Sequence, residues 1–142
     1  MGNRMWLAAA VVALAGSTLA CSGNEPAAPP SPEVGIVTTL TDFAIKAAET
    51  EASAGEVEFD LVNDGPSDHS FILVRTDRAD DDLPVVDHVV DPSQLEVVAE
   101  VERIEFEAEH TLAVDLAAGE YVMFCNLPGH YESDMHAAFT VT

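Results

Sequence analysis

From about residue 34 onward the chain sets out short blocks of alternating apolar and polar residues, separated by turn-forming residues. The clearest block is 56–63 (EVEFDLVN), where Val57, Phe59 and Leu61 share one face of a two-residue repeat and charged side chains take the other. Asn63-Asp64-Gly65-Pro66 then marks a turn. Residues 70–75 (SFILVR) are apolar almost throughout, as in a strand covered on both faces. Further strands are predicted over 34–40, 43–46, 103–107, 111–116, 121–125 and 137–142, with a turn at Ala118-Gly119. Short strands in this number, without a sustained helical period, predict an all-β sandwich. Phe43, Phe59, Phe71, Met123, Phe124 and Phe139 are expected in its core.

Residues 77–100 follow no single period. Asp80-Asp81-Asp82 reads as a solvated loop, and 83–90 fits a strand or a short helix. Residues 93–100 fit a helix start, with Ser93 as N-cap and Glu96 three residues on.

The first thirty residues have a different character. Arg4 is followed by an apolar run at 6–15 (WLAAAVVALA), short for a permanent span and shaped like a secretory signal. It ends Thr18-Leu19-Ala20-Cys21, which resembles the lipobox of bacterial lipoproteins. That resemblance implies a signal peptide over 1–20, acylation at Cys21, and export to the outer face of a membrane. The following SGNEPAAPPSPE completes a flexible, Pro- and Ala-rich tether over 21–33, leaving 34–142 as one folded domain.

Charge narrows the partners. The 142 residues hold 26 Asp and Glu against 5 Lys and Arg, a formal net charge of −21. Such a surface repels a phosphate backbone, so no nucleic-acid partner is expected. It solvates the protein, and it would also steer in a cationic protein partner. If Cys21 carries lipid, Cys125 is a lone thiol in an oxidising compartment, tolerable when buried or bound to metal.

The chemistry-bearing residues cluster near the end of the chain. In Cys125-Asn-Leu-Pro-Gly-His130-Tyr-Glu-Ser-Asp-Met135, a thiol, an imidazole and a thioether lie on one loop turned by Pro128-Gly129. His69, after the Asn63–Pro66 turn and at the head of an apolar strand, is placed to add a fourth donor. Two His, one Cys and a weak Met form the donor set of blue-copper sites. Soft sulfur favours Cu(I) and imidazole suits both oxidation states, so a rigid scaffold between their preferred geometries keeps the rearrangement on electron transfer small. His88, His110 and His136 are expected to be bystanders; His136 should face away from Met135 on a strand. No oxyanion-hole pattern accompanies Cys125, so a nucleophilic enzyme is not expected.

The segment YVMFCNLPGHYESDMHAAFTV resembles the C-terminal signature of the cupredoxins, and its Cys-x4-His-x4-Met spacing is similar to the rusticyanin and sulfocyanin branch. LTDFAI at 40–45 and DHSFILVRTD at 68–77 also look like cupredoxin-like domains. The resemblance implies a Greek-key β-sandwich with one copper at its end. It makes His69, Cys125 and His130 the equatorial ligands, Met135 the axial ligand, and His130 the near-surface electron exit. Ser70, Asn126, Pro128 and Gly129 would shape and tie the loops. Ser70 stands where the family often has Asn, and Asp134 where related loops often have Gly. The implied function is single-electron transfer between redox proteins, as a monomer and without substrate turnover. Copper storage or delivery is the alternative, though no Met-rich or His-rich cluster favours it. A copper enzyme of the same fold would need an open position where Met135 stands.

Overall fold

The computed structural model describes residues 35–142. The expected signal peptide over 1–20, Cys21 and the whole of the expected tether over 21–33 therefore lie outside the described residues. The described chain is built almost entirely from strands: β1 (Ile36–Thr41), β2 (Ala44–Ala47), β3 (Glu51–Ala52), β4 (Gly55–Asn63), β5 (His69–Arg75), β6 (Val85–Val86), β7 (Val89–Val90), β8 (Glu96–Ile104), β9 (Glu109–Leu116), β10 (Gly119–Phe124) and β11 (His136–Val141). Two sheets form the sandwich, in the orders β2-β1-β4-β9 and β3-β11-β10-β5-β8. Pairing is antiparallel except for β1 with β4 and β3 with β11. The chain leaves the first sheet after β4, builds β5 and β8 in the second, returns as β9, then crosses back as β10 and β11. This is the expected Greek-key sandwich.

Alternation decides which sides meet. Ile36, Thr38 and Leu40 of β1, and Val57, Phe59, Leu61 and Asn63 of β4, point inward and are buried. Phe71, Leu73, Tyr121, Met123 and Phe139 meet them from the second sheet. Phe59 packs on Phe71 and Phe139 at ring-centroid distances of 5.9 and 5.3 Å. Cys125 and Met135 belong to this same core, so the candidate donors sit at the end of a packed interior rather than on a free loop.

β5 is buried from His69 through Val74, as its apolar run implies. Its outer side is covered by a second, smaller cluster of Ile72, Val74, Leu83, Val90, Val122, Phe124 and Tyr131. Residues 77–95 thus act as a cover. β6 and β7 form a hairpin in which Asp87 and His88 both have positive φ (51° and 67°), the backbone shape of a two-residue hairpin turn.

Two expectations are corrected. Residues 93–100 do not start a helix. Asp91, not Ser93, caps a single 3-10 turn at Pro92–Gln94, accepting the Ser93 N–H. Glu96 onward is strand β8, because pairing with β5 buries Val101 and Ile104. Phe43 is not in the core; it is 56% exposed, in the tight turn between β1 and β2, at φ 66°.

Candidate metal centre

Three loops meet at one end of the sandwich. The first is the β1–β2 turn with Asp42 and Phe43. The second is 64–68, which leads into His69. The third is 125–135, between β10 and β11. Asn63 anchors the second loop. Its Nδ2 donates to the Ser67 and Ile104 carbonyls at 2.8 and 3.0 Å, and its Oδ1 accepts the Gly65 N–H at 3.1 Å. In the sequence Asn63 stands out only as part of a turn signal. Its burial at the end of an inward-facing row is what suits it to brace a loop from below.

The third loop folds on its own backbone. Cys125 N–H donates to the Met135 carbonyl at 3.1 Å, and Met135 N–H to the His130 carbonyl at 3.2 Å. His130 N–H donates to Leu127 O at 3.0 Å, and the Ser133 hydroxyl to Gly129 O at 2.8 Å. Gly129 has φ 80°, within the left-handed region that glycine enters without a Cβ penalty. Asp134 closes the 3-10 turn Tyr131–Ser133 at φ 68°, and its carboxylate is exposed.

The loop is clamped from outside by the cover segment. Asn126 Oδ1 accepts the Val90 N–H at 2.7 Å, and its Nδ2 donates to the Val90 carbonyl at 3.0 Å. Gly129 N–H reaches His88 O at 2.8 Å. The Tyr131 hydroxyl donates to Asp80 O and accepts the Leu83 N–H, at 2.7 and 2.9 Å. Burial of the ring raises the Tyr131 pKa above its ordinary value, with the Leu83 N–H opposing and the Asp80–Asp82 carboxylates adding to the rise. His88 and His136 are accounted for by carboxylate partners, Glu132 at 2.8 Å and Asp80 at 2.9 Å. His110 is exposed on β9. None of the three joins the donor cluster.

His69, Cys125 and His130 come together: one donor atom from each lies within 4.8 Å of the others. The rings of His69 and His130 are 5.3 Å apart at 66°. Cys125 Sγ lies 3.6 Å from His130 Nδ1. His69, Cys125 and Met135 are fully buried and His130 is half-buried. Ser70 bridges the second and third loops. Its N–H points at Cys125 Sγ at 3.3 Å, its hydroxyl lies 3.6 Å from the same sulfur, and that hydroxyl accepts the Asn126 N–H at 2.8 Å.

The donors fit a soft metal ion. Neither ring nitrogen of the fully buried His69 has a hydrogen-bond partner, a state that costs free energy in a protein interior. Burial holds the His69 pKa below its ordinary value; His130 adds to that lowering and Asp42 opposes it. A neutral imidazole is the form that ligates a metal. A cation among two imidazoles and a thiolate would satisfy the orphaned nitrogen and the buried sulfur together.

No family model matches the chain, and no curated protein sequence does. Solved structures do. An auracyanin of the photosynthetic bacterium Roseiflexus castenholzii aligns at 17% identity with a TM-score of 0.56, over 78% of this chain and 98% of its own. Auracyanin B aligns at 21% identity and 0.57, over 81% and 93%. Rusticyanin of Thiobacillus ferrooxidans aligns at 20% identity and 0.58, over 77% of each chain. With the strand order, the buried ends of β5 and β10 and this likeness together, the chain has the cupredoxin fold.

Proposed function

We propose that this chain is a type 1 copper protein that carries single electrons. The observation that carries the reading is the convergence of two imidazoles and one buried thiol within 4.8 Å, at the end of a core that also holds Met135. Auracyanin A, similar in fold at 22% identity and a TM-score of 0.51, is a "blue" copper protein, and rusticyanin is a copper protein. His69, Cys125 and His130 would hold the ion, with Met135 as the weak axial donor. Bound copper would supply one-electron exchange between Cu(II) and Cu(I).

The chain's own residues then fix the environment. The backbone bonds joining Cys125, His130 and Met135 hold the sulfur and imidazole donors in one arrangement, which limits reorganisation. Ser70 aims its N–H and hydroxyl at the thiolate and so moderates its electron donation. His130, half-buried where His69 is not, offers the shorter way to solvent and to a docked partner. No residue is assigned to substrate turnover. The protein would act as an exported monomer, tethered through lipid on Cys21, between a donor and an acceptor protein. Its charge of −21 favours a cationic face on the partner and disfavours nucleic acid.

The test is the visible and electron paramagnetic resonance spectrum of the Cu(II)-loaded protein. An intense thiolate-to-copper band with narrow hyperfine splitting, lost in Cys125→Ala, is expected. A weak Cu(II) spectrum indifferent to Cys125→Ala would leave copper storage or delivery as the better account.

A further inference from the structure

We infer that Asp42 is a positioning residue for the His69 imidazole and, through it, for the reduction potential of the bound ion. The inference rests on the copper reading given above for His69.

Asp42 Oδ1 lies 3.3 Å from His69 Nε2. The contact is off the N–H direction, so the pair sits at ion-pair distance without completing a hydrogen bond, and both atoms are buried without another partner. The loop backbone closes over this side of the ring. A Cβ on Gly65 would come within 3.0 Å of His69 Nε2 and 2.9 Å of the Asp42 backbone nitrogen. With Nε2 enclosed by Asp42 and Gly65, Nδ1 is left as the nitrogen turned to the donor cluster. A neutral imidazole that ligates through Nδ1 must carry its proton on Nε2. Asp42 Oδ1, 3.3 Å from Nε2, is the carboxylate oxygen beside that proton, and a small turn of the ring would bring the N–H onto it. Carboxylate acceptors behind metal-bound histidines fix the tautomer, orient the ring and raise its donor strength.

Asp42 is suited to this in two further ways. Its other oxygen accepts the Ser67 hydroxyl at 3.2 Å, so the side chain is held from the far side. Its charge is also not spent elsewhere. Asp68, the other carboxylate near His69, is paired with Arg103 and accepts the Phe106 N–H, whereas Asp42 has no Lys or Arg partner among the described residues. An uncompensated negative charge behind a ligand stabilises the more positive ion, Cu(II), over Cu(I). The β1–β2 turn therefore serves both histidines: Asp42 meets His69, and Phe43 lies 6.2 Å from His130 between ring centroids.

Two measurements test this. The first is the ¹⁵N spectrum of the imidazoles in the metal-free protein, which reads the tautomer directly. His69 is expected with its proton on Nε2, and an Nδ1–H tautomer would overturn the inference whatever the copper data show. The second is the reduction potential of copper-loaded Asp42→Asn, a near-isosteric change that removes the charge and keeps the turn. A shift of about tenfold in relative affinity toward Cu(I) is expected, a rise of ~59 mV for one electron, with the visible band retained. An unchanged potential with an unchanged band would make Asp42 a turn residue only and overturn the inference. Absence of a thiolate band in the unsubstituted protein would sink the copper reading instead, while the tautomer would still decide the Asp42–His69 pairing.

Discussion

The Ser70 hydroxyl accepts the Asn126 backbone N–H at 2.8 Å while the Ser70 N–H points at Cys125 Sγ at 3.3 Å. One small residue thus ties the strand that bears His69 to the loop that bears Cys125, and it does so beside the sulfur.

Ser70→Ala should separate the two roles. The Asn126 N–H loses its acceptor in a partly buried place, which costs about 1–2 kcal/mol. A domain of this size then melts several degrees lower, roughly 4–8 °C per kcal/mol. The hydroxyl near the thiolate is also gone, so the sulfur donates more strongly, Cu(II) gains over Cu(I) and the potential falls. Calorimetry and voltammetry on the same variant check both parts. A lower melting temperature with an unmoved potential would assign Ser70 to stability alone.

The cover segment makes a separate prediction. Asn126 exchanges two hydrogen bonds with the Val90 backbone, and these are side-chain bonds to a strand of only two residues. Asn126→Ala should cost about 2 kcal/mol by leaving the Val90 N–H and carbonyl without partners. The loss should be local first: amide exchange at Val90 and Leu83 should quicken by more than tenfold, while the amides of β4 stay protected. Uniform quickening across both sheets would show that the cover is not a separable unit.

Much of this architecture was legible because alternation is a strong signal where a strand has one wet face. Val57, Phe59 and Leu61 are all buried, as their spacing demands. The run of 70–75 read as doubly covered because something had to hide Ile72 and Val74, and Leu83, Val90 and Tyr131 do so. What covers them was not legible, since the cover holds through single side chains rather than a periodic face. The Ser-x-x-Glu pattern at Ser93 failed for a similar reason. Local capping chemistry was available, but pairing of Glu96–Ile104 with β5 buries apolar surface that a helix there would have left open. The convergence of His69, Cys125 and His130 was legible from their residue types and from the turn at Pro128-Gly129, and Met135 is buried in the core they adjoin. Asp42 was not, because nothing in the sequence links a turn carboxylate to a histidine 27 positions later until the turn is folded over it.

Phe43 was expected inside and lies outside, and its backbone conformation gives the last prediction. A non-glycine residue at φ 66° carries a steric cost of about 1–2 kcal/mol, which Asn tolerates better than an aromatic residue. The ring is 56% exposed, so little apolar burial offsets that cost. What the ring does have is the half-buried imidazole of His130 at 6.2 Å between centroids. Phe43→Asn should therefore leave the fold as stable or more so, by up to about 1 kcal/mol in chemical denaturation. Electron self-exchange of the copper-loaded protein, followed by line broadening, should slow, since two copies meeting at His130 lose the exposed apolar ring beside it. A variant that is clearly less stable would make the ring a structural element. A variant that is more stable and exchanges electrons as fast would leave the strain at Phe43 without a function in contact between molecules.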